Sequence, residues 1–287
     1  MAPVRAGLIG LGRMGKAIAS RLKSEGVEVY AWNRTLTKAR ELDVLVSDTP
    51  ASASTRADFI ILSLYDSAAV REVLTMRHGL LSAGLKGKVI VDTTTNHFSE
   101  VSAFHSILKE RGASYLEAPL LGSIVQAMTG NLCVLVSGEE APYRAALPII
   151  EKLGREIFFL REPGLATKVK LINNLLLGSF MASIAEATAL SEKAGLDRHA
   201  ALDIFSKGAG SSAVMDAKKE KLLKEDYAAH FKTSLMYKDL HYLQDLAREL
   251  RSPLFTAGVA KELFAVAMSR GSGEEDFSAV YKAVKNL

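Results

Sequence analysis

Up to about residue 162, short runs of aliphatic and β-branched residues alternate with stretches whose apolar positions recur every third or fourth residue. The strand-like runs are 4–9, 27–32, 59–63, 89–92, 114–117, 133–137 and 157–160, and the helical stretches between several of them include 14–25, 67–75, 98–111 and 141–153. Such alternation predicts βαβ units and a mostly parallel, doubly wound sheet. After Glu162-Pro163-Gly164 the strand pattern stops. From 165 to about 194 the chain reads as one helix, because Leu171, Ile172, Leu175, Leu176, Phe180, Ile184, Ala187 and Leu190 recur at helical spacing. It would run about 45 Å. It is apolar on more than one face, which predicts other helices packed around it. Gly195 reads as its stop. Further helices are predicted over 199–207, 216–224, 233–250, 254–268 and 278–284. The expected organisation is an α/β doubly wound domain over 1–163 and an all-α domain over 164–287 built around one long helix.

Composition agrees with two globular domains. The chain has 287 residues, 48% apolar and 24% charged, which argues against disorder. The net charge is only +4, and the densest basic run (Lys218, Lys219, Lys221, Lys224) is interleaved with Glu220 and Glu225. That run reads as a solvated helix face, with no nucleic-acid partner expected. The single cysteine, Cys133, and six scattered histidines offer neither a disulfide nor a metal-ligand spacing, so no metal is expected. The chain start runs directly into a strand-like segment with no signal peptide, and no apolar stretch reaches membrane-span length. A cytoplasmic protein without membrane contact is the expectation.

Candidate chemistry begins at Gly10-Leu11-Gly12-Arg13-Met14-Gly15, which follows a strand and opens a helix. In that context the first glycine permits a tight turn, the second lets a pyrophosphate approach the backbone, and the third lets helix and sheet pack closely. Amides at the helix start then face the anion. The loop predicts dinucleotide binding and makes the first domain Rossmann-type. The second strand ends at Asn33-Arg34-Thr35 without the acidic residue that binds the ribose 2′-hydroxyl of NAD. Arg34 and the Thr35 hydroxyl suit a 2′-phosphate, so NADP is expected in preference to NAD.

Three further clusters each admit two readings. Asp92-Thr93-Thr94-Thr95-Asn96 lies at a strand end, where open α/β sheets bind ligands, but its hydroxyls also suit N-caps for the next helix. Glu117-Ala118-Pro119-Leu120-Leu121-Gly122-Ser123 can present N–H groups to a carboxylate, or form a simple turn. Lys170 and Asn174, four apart, share a face of the long helix. The lysine either snorkels or pairs structurally, or serves as an acid. An adjacent pair such as Lys238-Asp239 is more often plain surface.

Taken in order, these clusters resemble the β-hydroxyacid dehydrogenase family, also called the 3-hydroxyisobutyrate dehydrogenase family, over essentially the whole chain. The matching segments are the loop from Gly10 to Gly15, Asp92 to Thr95, Glu117 to Ser123, Gly164 through Lys170 to Asn174, and Phe231 ahead of Lys238-Asp239. Asn33-Arg34-Thr35, the Gly122-Ser123 ending and Asp276-Phe277-Ser278-Ala279-Val280 are most similar to the glyoxylate/succinic semialdehyde reductase branch. Three positions depart from the family pattern. Ala166 replaces a glycine, Phe98 a proline, and Leu121 a serine that contacts the substrate carboxylate.

The resemblance implies an oxidoreductase transferring hydride between NADP and a small β-hydroxy acid of the 3-hydroxyisobutyrate, L-serine or 3-hydroxypropionate type. The alternative is NADPH-dependent reduction of succinic semialdehyde or glyoxylate. Imine reduction and a non-catalytic NADP-binding module are disfavoured because such relatives lack the lysine. By the same resemblance Lys170 is the acid/base and Asn174 its partner. Gly10, Leu11, Gly12, Arg13, Met14, Gly15, Asn33, Arg34, Thr35, Leu64, Tyr65, Thr95, Phe231 and Lys238 would hold the cofactor. Thr95, Leu121, Gly122, Ser123, Lys170, Asn174, Lys238 and Asp239 would hold the substrate. An active site in the cleft between the domains and a homodimer or homotetramer formed through the helical domain are also implied.

Overall fold

Residues 4–286 are described in a computed structural model of the protein. The segment 1–3, part of the stretch read as lacking a signal peptide, lies outside them. In chain order the first half forms β1 (Arg5–Ile9), α1 (Arg13–Ser24), β2 (Glu28–Trp32), α2 (Thr37–Arg40), β3 (Leu45–Val46), α3 (Pro50–Arg56), β4 (Phe59–Leu62), α4 (Ser67–Thr75), β5 (Val89–Asp92), α5 (Phe98–Lys109), β6 (Ser114–Glu117), β7 (Leu120–Leu121), α6 (Ile124–Thr129), β8 (Leu132–Ser137), α7 (Glu140–Ile150) and β9 (Gly154–Arg161). The sheet order is β3-β2-β1-β4-β5-β6-β8-β7, with β9 also beside β8. Pairing from β3 across to β6 is parallel, and β8 runs antiparallel to β6 and β7 but parallel to β9.

The central strands are covered on both faces, and their near-continuous apolar runs reflect this. Alternate residues go to opposite sides: Ile61 joins Leu8, Ile18, Leu22 and Val91 in one core, while Ile60 and Leu62 join Ile9, Leu74 and Phe104 in the other. The elements that the apolar pattern did not predict are short: β3, β7, α2, α3 and α6. None is long enough to express a period.

The second half is helical: α8 (Leu165–Lys193), α9 (Arg198–Lys207), α10 (Ala213–Lys224), α11 (Thr233–Glu249), α12 (Phe255–Ser269) and α13 (Val280–Lys285). Gly195 ends α8 as expected, at φ +90°, with the Leu196 N–H returning to Ser191 O at 2.9 Å. The chain divides into two compact units, 1–170 and 171–287, and this division falls inside α8. The reason is local. The first turn of α8 is fastened to the sheet, with the Gly164 and Thr167 N–H groups on the Glu117 carboxylate and that of Ala166 on Ser137 Oγ.

Two expectations about the helical half need correction. The basic run on α10 is not a solvated face, since Lys218 and Lys221 are buried. Lys218 pairs with Asp276 at 2.9 Å, and Lys221 donates to Ala228 O at 2.7 Å. Only Lys219 and Lys224 pair near the surface, with Asp203 and Glu220. On α8, Leu171, Met181 and Ala185 are buried, but Ile172, Leu176 and Phe180 stay exposed. No helix among the described residues is long and apolar enough to cross a membrane.

Candidate active site

The glycine loop is shaped by close approach. Gly10 has φ +101°, and a Cβ there would fall 2.3 Å from Ser63 O. A Cβ on Gly15 would fall 2.0 Å from Gly10 O, so strand and helix pack backbone to backbone. Gly12 caps α1 with no side-chain bond, nothing lies within 4 Å of its Cβ position, and the first turn carries no acidic residue. The N–H groups around Arg13 and Met14 are thus left for an anion that can come close to the backbone. This arrangement fits a dinucleotide pyrophosphate. Asn33 braces it: its Oδ1 accepts the Leu11 N–H at 2.9 Å and its Nδ2 donates to Thr35 O at 3.0 Å. Arg34 and Thr35 are exposed, with Arg34 lying 3.6 Å from Glu72. Leu64 is half-buried and its N–H donates to Thr94 Oγ1 at 3.1 Å, while Tyr65 is exposed.

Asp92 organises the threonine segment. Its buried carboxylate accepts the Thr94 N–H at 2.8 Å, the Asn96 Nδ2 at 2.8 Å and the Tyr115 hydroxyl at 2.7 Å. Burial nonetheless pushes its carboxyl above the ordinary range, and burial beside Asp92 drives the Tyr115 hydroxyl well up. Thr93 Oγ1 donates to Leu62 O at 2.7 Å, so Thr93 and Thr94 are spent on the last carbonyl of β4 and on the Leu64 amide two residues later. Thr95 is half-buried. None of the threonines caps α5, whose N-cap is His97.

In the next segment β7 sets Leu121, half-buried, opposite Cys133 of β8. Gly122 has φ +129°. Ser123 does not present open donors, because it forms a capping box with Gln126 at the start of α6. Its N–H reaches Gln126 Oε1 at 2.9 Å, and its hydroxyl bonds the same oxygen. The Ser-x-x-Gln spacing that signals this was present in the sequence. Sequence reasoning missed the role of Glu117 altogether. Its partners lie some 47 to 50 positions away, beyond any local pattern.

Lys170 is 8% exposed and Asn174 is fully buried. Burial pushes up the Cys133 thiol while the charge of Lys170 acts on it in the opposite direction, so the lysine head is within electrostatic reach of β8. Asn174 Nδ2 donates to Asp239 Oδ2 at 2.6 Å, and its Oδ1 is buried without a hydrogen-bond partner among the described residues. Lys238-Asp239 is not plain surface. Asp239 is buried, and Lys238 Nζ lies 2.8 Å from its Oδ1 and 4.7 Å from the Tyr242 ring centre. The structure therefore joins Asn174, Asp239 and Lys238 in one cluster. Phe231 lies apart from these contacts, half-buried with its ring edge-on to Phe277 at 5.8 Å. Among the described residues no group of three His, Cys, Asp or Glu side chains could hold a metal ion.

A doubly wound sheet with this glycine turn and open helix start defines a nicotinamide-dinucleotide-binding oxidoreductase. The family profile described as the NAD-binding domain of 6-phosphogluconate dehydrogenase matches residues 5–161. The profile described as NAD-binding of NADP-dependent 3-hydroxyisobutyrate dehydrogenase matches residues 164–284. The chain is 35% identical to 2-(hydroxymethyl)glutarate dehydrogenase of Eubacterium barkeri, over 99% of this chain and 96% of that one. It is 33% identical to glyoxylate/succinic semialdehyde reductase 1 of Arabidopsis thaliana, over 97% and 98%. A solved structure of 3-hydroxyisobutyrate dehydrogenase from Salmonella typhimurium superposes with a TM-score of 0.90 at 26% identity, over 97% and 99%. The chain belongs to the β-hydroxyacid dehydrogenase family and is an enzyme of that hydroxyacid-dehydrogenase class.

Proposed function

We propose that the protein is an NADP-dependent dehydrogenase of a small β-hydroxy acid, of the 3-hydroxyisobutyrate, L-serine or 3-hydroxypropionate type, with Lys170 as general acid/base. The observation that carries this reading is Lys170, buried on α8 one turn before an asparagine whose Oδ1 has no hydrogen-bond partner among the described residues. A lysine in a buried setting shifts its proton affinity readily, which suits it to carry a proton. The bound nicotinamide supplies the hydride chemistry. In reduction the Lys170 ammonium gives a proton to the substrate oxygen as negative charge develops there, and in oxidation the neutral amine takes one from the hydroxyl. Asn174, oriented by Asp239, offers its Oδ1 to the substrate hydroxyl or to the lysine. Gly122 and Ser123 hold the carboxylate, with Gln126 yielding the serine's donors, and Leu121 contributes an apolar wall. Thr95, Leu64, Tyr65, Phe231 and Lys238 contact the cofactor, and Lys238 and Asp239 also meet substrate.

The 33% identity to a glyoxylate/succinic semialdehyde reductase favours a second reading, NADPH-dependent reduction of those aldehydes by the same residues. The reading includes a cytoplasmic location and a homodimer or homotetramer. A screen of NAD and NADP against serine, 3-hydroxyisobutyrate, 3-hydroxypropionate, glyoxylate and succinic semialdehyde, run on wild type and Lys170→Met, decides. Lys170→Met should keep NADPH binding and lose roughly 10²–10⁴-fold in kcat. Oxidation by the wild type should rise toward alkaline pH. Near-wild-type turnover in the variant would sink the assignment.

A further inference from the structure

Glu117 ends β6 and lies within the first compact unit, 1% exposed. The Gly164 N–H donates to its Oε1, and His105 Nε2 lies 3.4 Å from the same oxygen. Its Oε2 accepts the Thr167 N–H at 3.2 Å and the Thr167 hydroxyl at 2.7 Å. Ser137 Oγ takes the Ala166 N–H at 2.9 Å, and Glu162 O takes that of Leu165 at 3.1 Å. All four N–H groups that open α8 are therefore held, although its first turn contains no acidic residue. A carboxylate from a strand end supplies the negative charge that a helix N-terminus favours. This anchorage is unlike that of the other helices of the first unit, whose side-chain caps are local: Thr49, Asp66, His97 and Ser123 each cap the helix immediately after them.

Lys170 is placed by the same turn. It is four residues from Ala166 and three from Thr167, so it sits one turn above the anchored amides on the same side of the helix. We infer that Glu117 is a positioning residue for Lys170: it fixes the rotation and height of the first turn of α8, and so the point from which the lysine head reaches the reacting oxygen. The inference rests on the reading of Lys170 as the acid/base. The demand on position 117 is strict. Both oxygens face donors, so an amide there would turn an NH₂ toward an N–H or a hydroxyl whichever way it is flipped.

The test is a double-mutant cycle. Glu117→Gln and Thr167→Val, which removes one donor at nearly constant shape, are each made alone and with Lys170→Met. The measurements are kcat, KM for the hydroxy acid, and NADPH Kd by fluorescence titration. With Lys170 present, Glu117→Gln should lower kcat by roughly 10- to 10²-fold, the effect of a misplacement near 1 Å. Thr167→Val should act in the same direction by less. NADPH Kd should stay within about twofold in both. With Lys170→Met, either change should alter kcat by no more than about twofold. If Glu117→Gln does not fold, Thr167→Val carries the same cycle. Losses that multiply across the cycle, or an unchanged kcat in the single variants, overturn the inference alone. Wild-type turnover in Lys170→Met sinks the acid–base reading and this inference with it.

Discussion

Asn33 spends both ends of its amide on backbone, so Arg34 is the first side chain past β2 left to face an incoming ligand. Its ion pair with Glu72 is long and exposed, and a 2′-phosphate can displace it at little cost. Arg34→Ala should therefore raise KM for NADP about tenfold to a hundredfold more than KM for NAD, the worth of a charge-assisted hydrogen bond, roughly 1.5–3 kcal/mol. Steady-state kinetics with both cofactors checks this, and equal penalties would sink the phosphate role. At this scale the sequence was informative wherever a residue's task depends on near neighbours. The tight glycine turn ahead of α1 and the placing of Lys170 and Asn174 on one helix face could be read for that reason. Residues whose partners lie on other elements were not: the donors on Glu117 and the Asp239 contact of Asn174 arise only when distant segments meet.

The helices were legible because their apolar periods are long, and the misreadings come from polar residues used inside the packing. On α10 the lysines at 218 and 221 share a face, which in isolation is indistinguishable from a charged solvent face. In the fold Lys218 meets Asp276, which also accepts the His230 N–H at 2.9 Å and the Phe231 N–H at 3.2 Å. Burial alone would raise the Asp276 carboxyl, but Lys218 and these donors hold it below the ordinary value. Lys218→Met leaves that buried carboxylate without its cation and should cost about 3–5 kcal/mol by urea denaturation at neutral pH. A depressed carboxyl contributes stability that is present above its unfolded value and lost as pH falls through the folded one. The deficit of the variant should therefore shrink below about pH 4. A pH-independent deficit would mean that packing, not charge, carries the loss.

For the whole molecule the open question is what covers α8. Ile172, Leu176 and Phe180 recur at i, i+4 and i+8 and remain 50%, 48% and 42% exposed. A continuous apolar stripe of this kind is unusual on a free surface. It is the face expected to meet a second copy in the proposed homo-oligomer. Phe180→Lys should lower the mass measured by light scattering to that of the single chain, and an oligomer of unchanged mass would place the interface elsewhere.

The division inside α8 also bears on how such enzymes can be recombined. A crossover at 163/164 moves Lys170 with the helical half but leaves Glu117 and Ser137, which grip its first turn, on the donor of the sheet. A crossover at 170/171 keeps that grip intact but takes Lys170 and Asn174 from different parents. Neither cut is neutral. If Glu117 positions Lys170 as inferred, a hybrid built at the first junction should keep activity only when the strand ends of one parent accept the helix start of the other. On that inference the helical half should be exchangeable as a unit only together with the residues at 117 and 137.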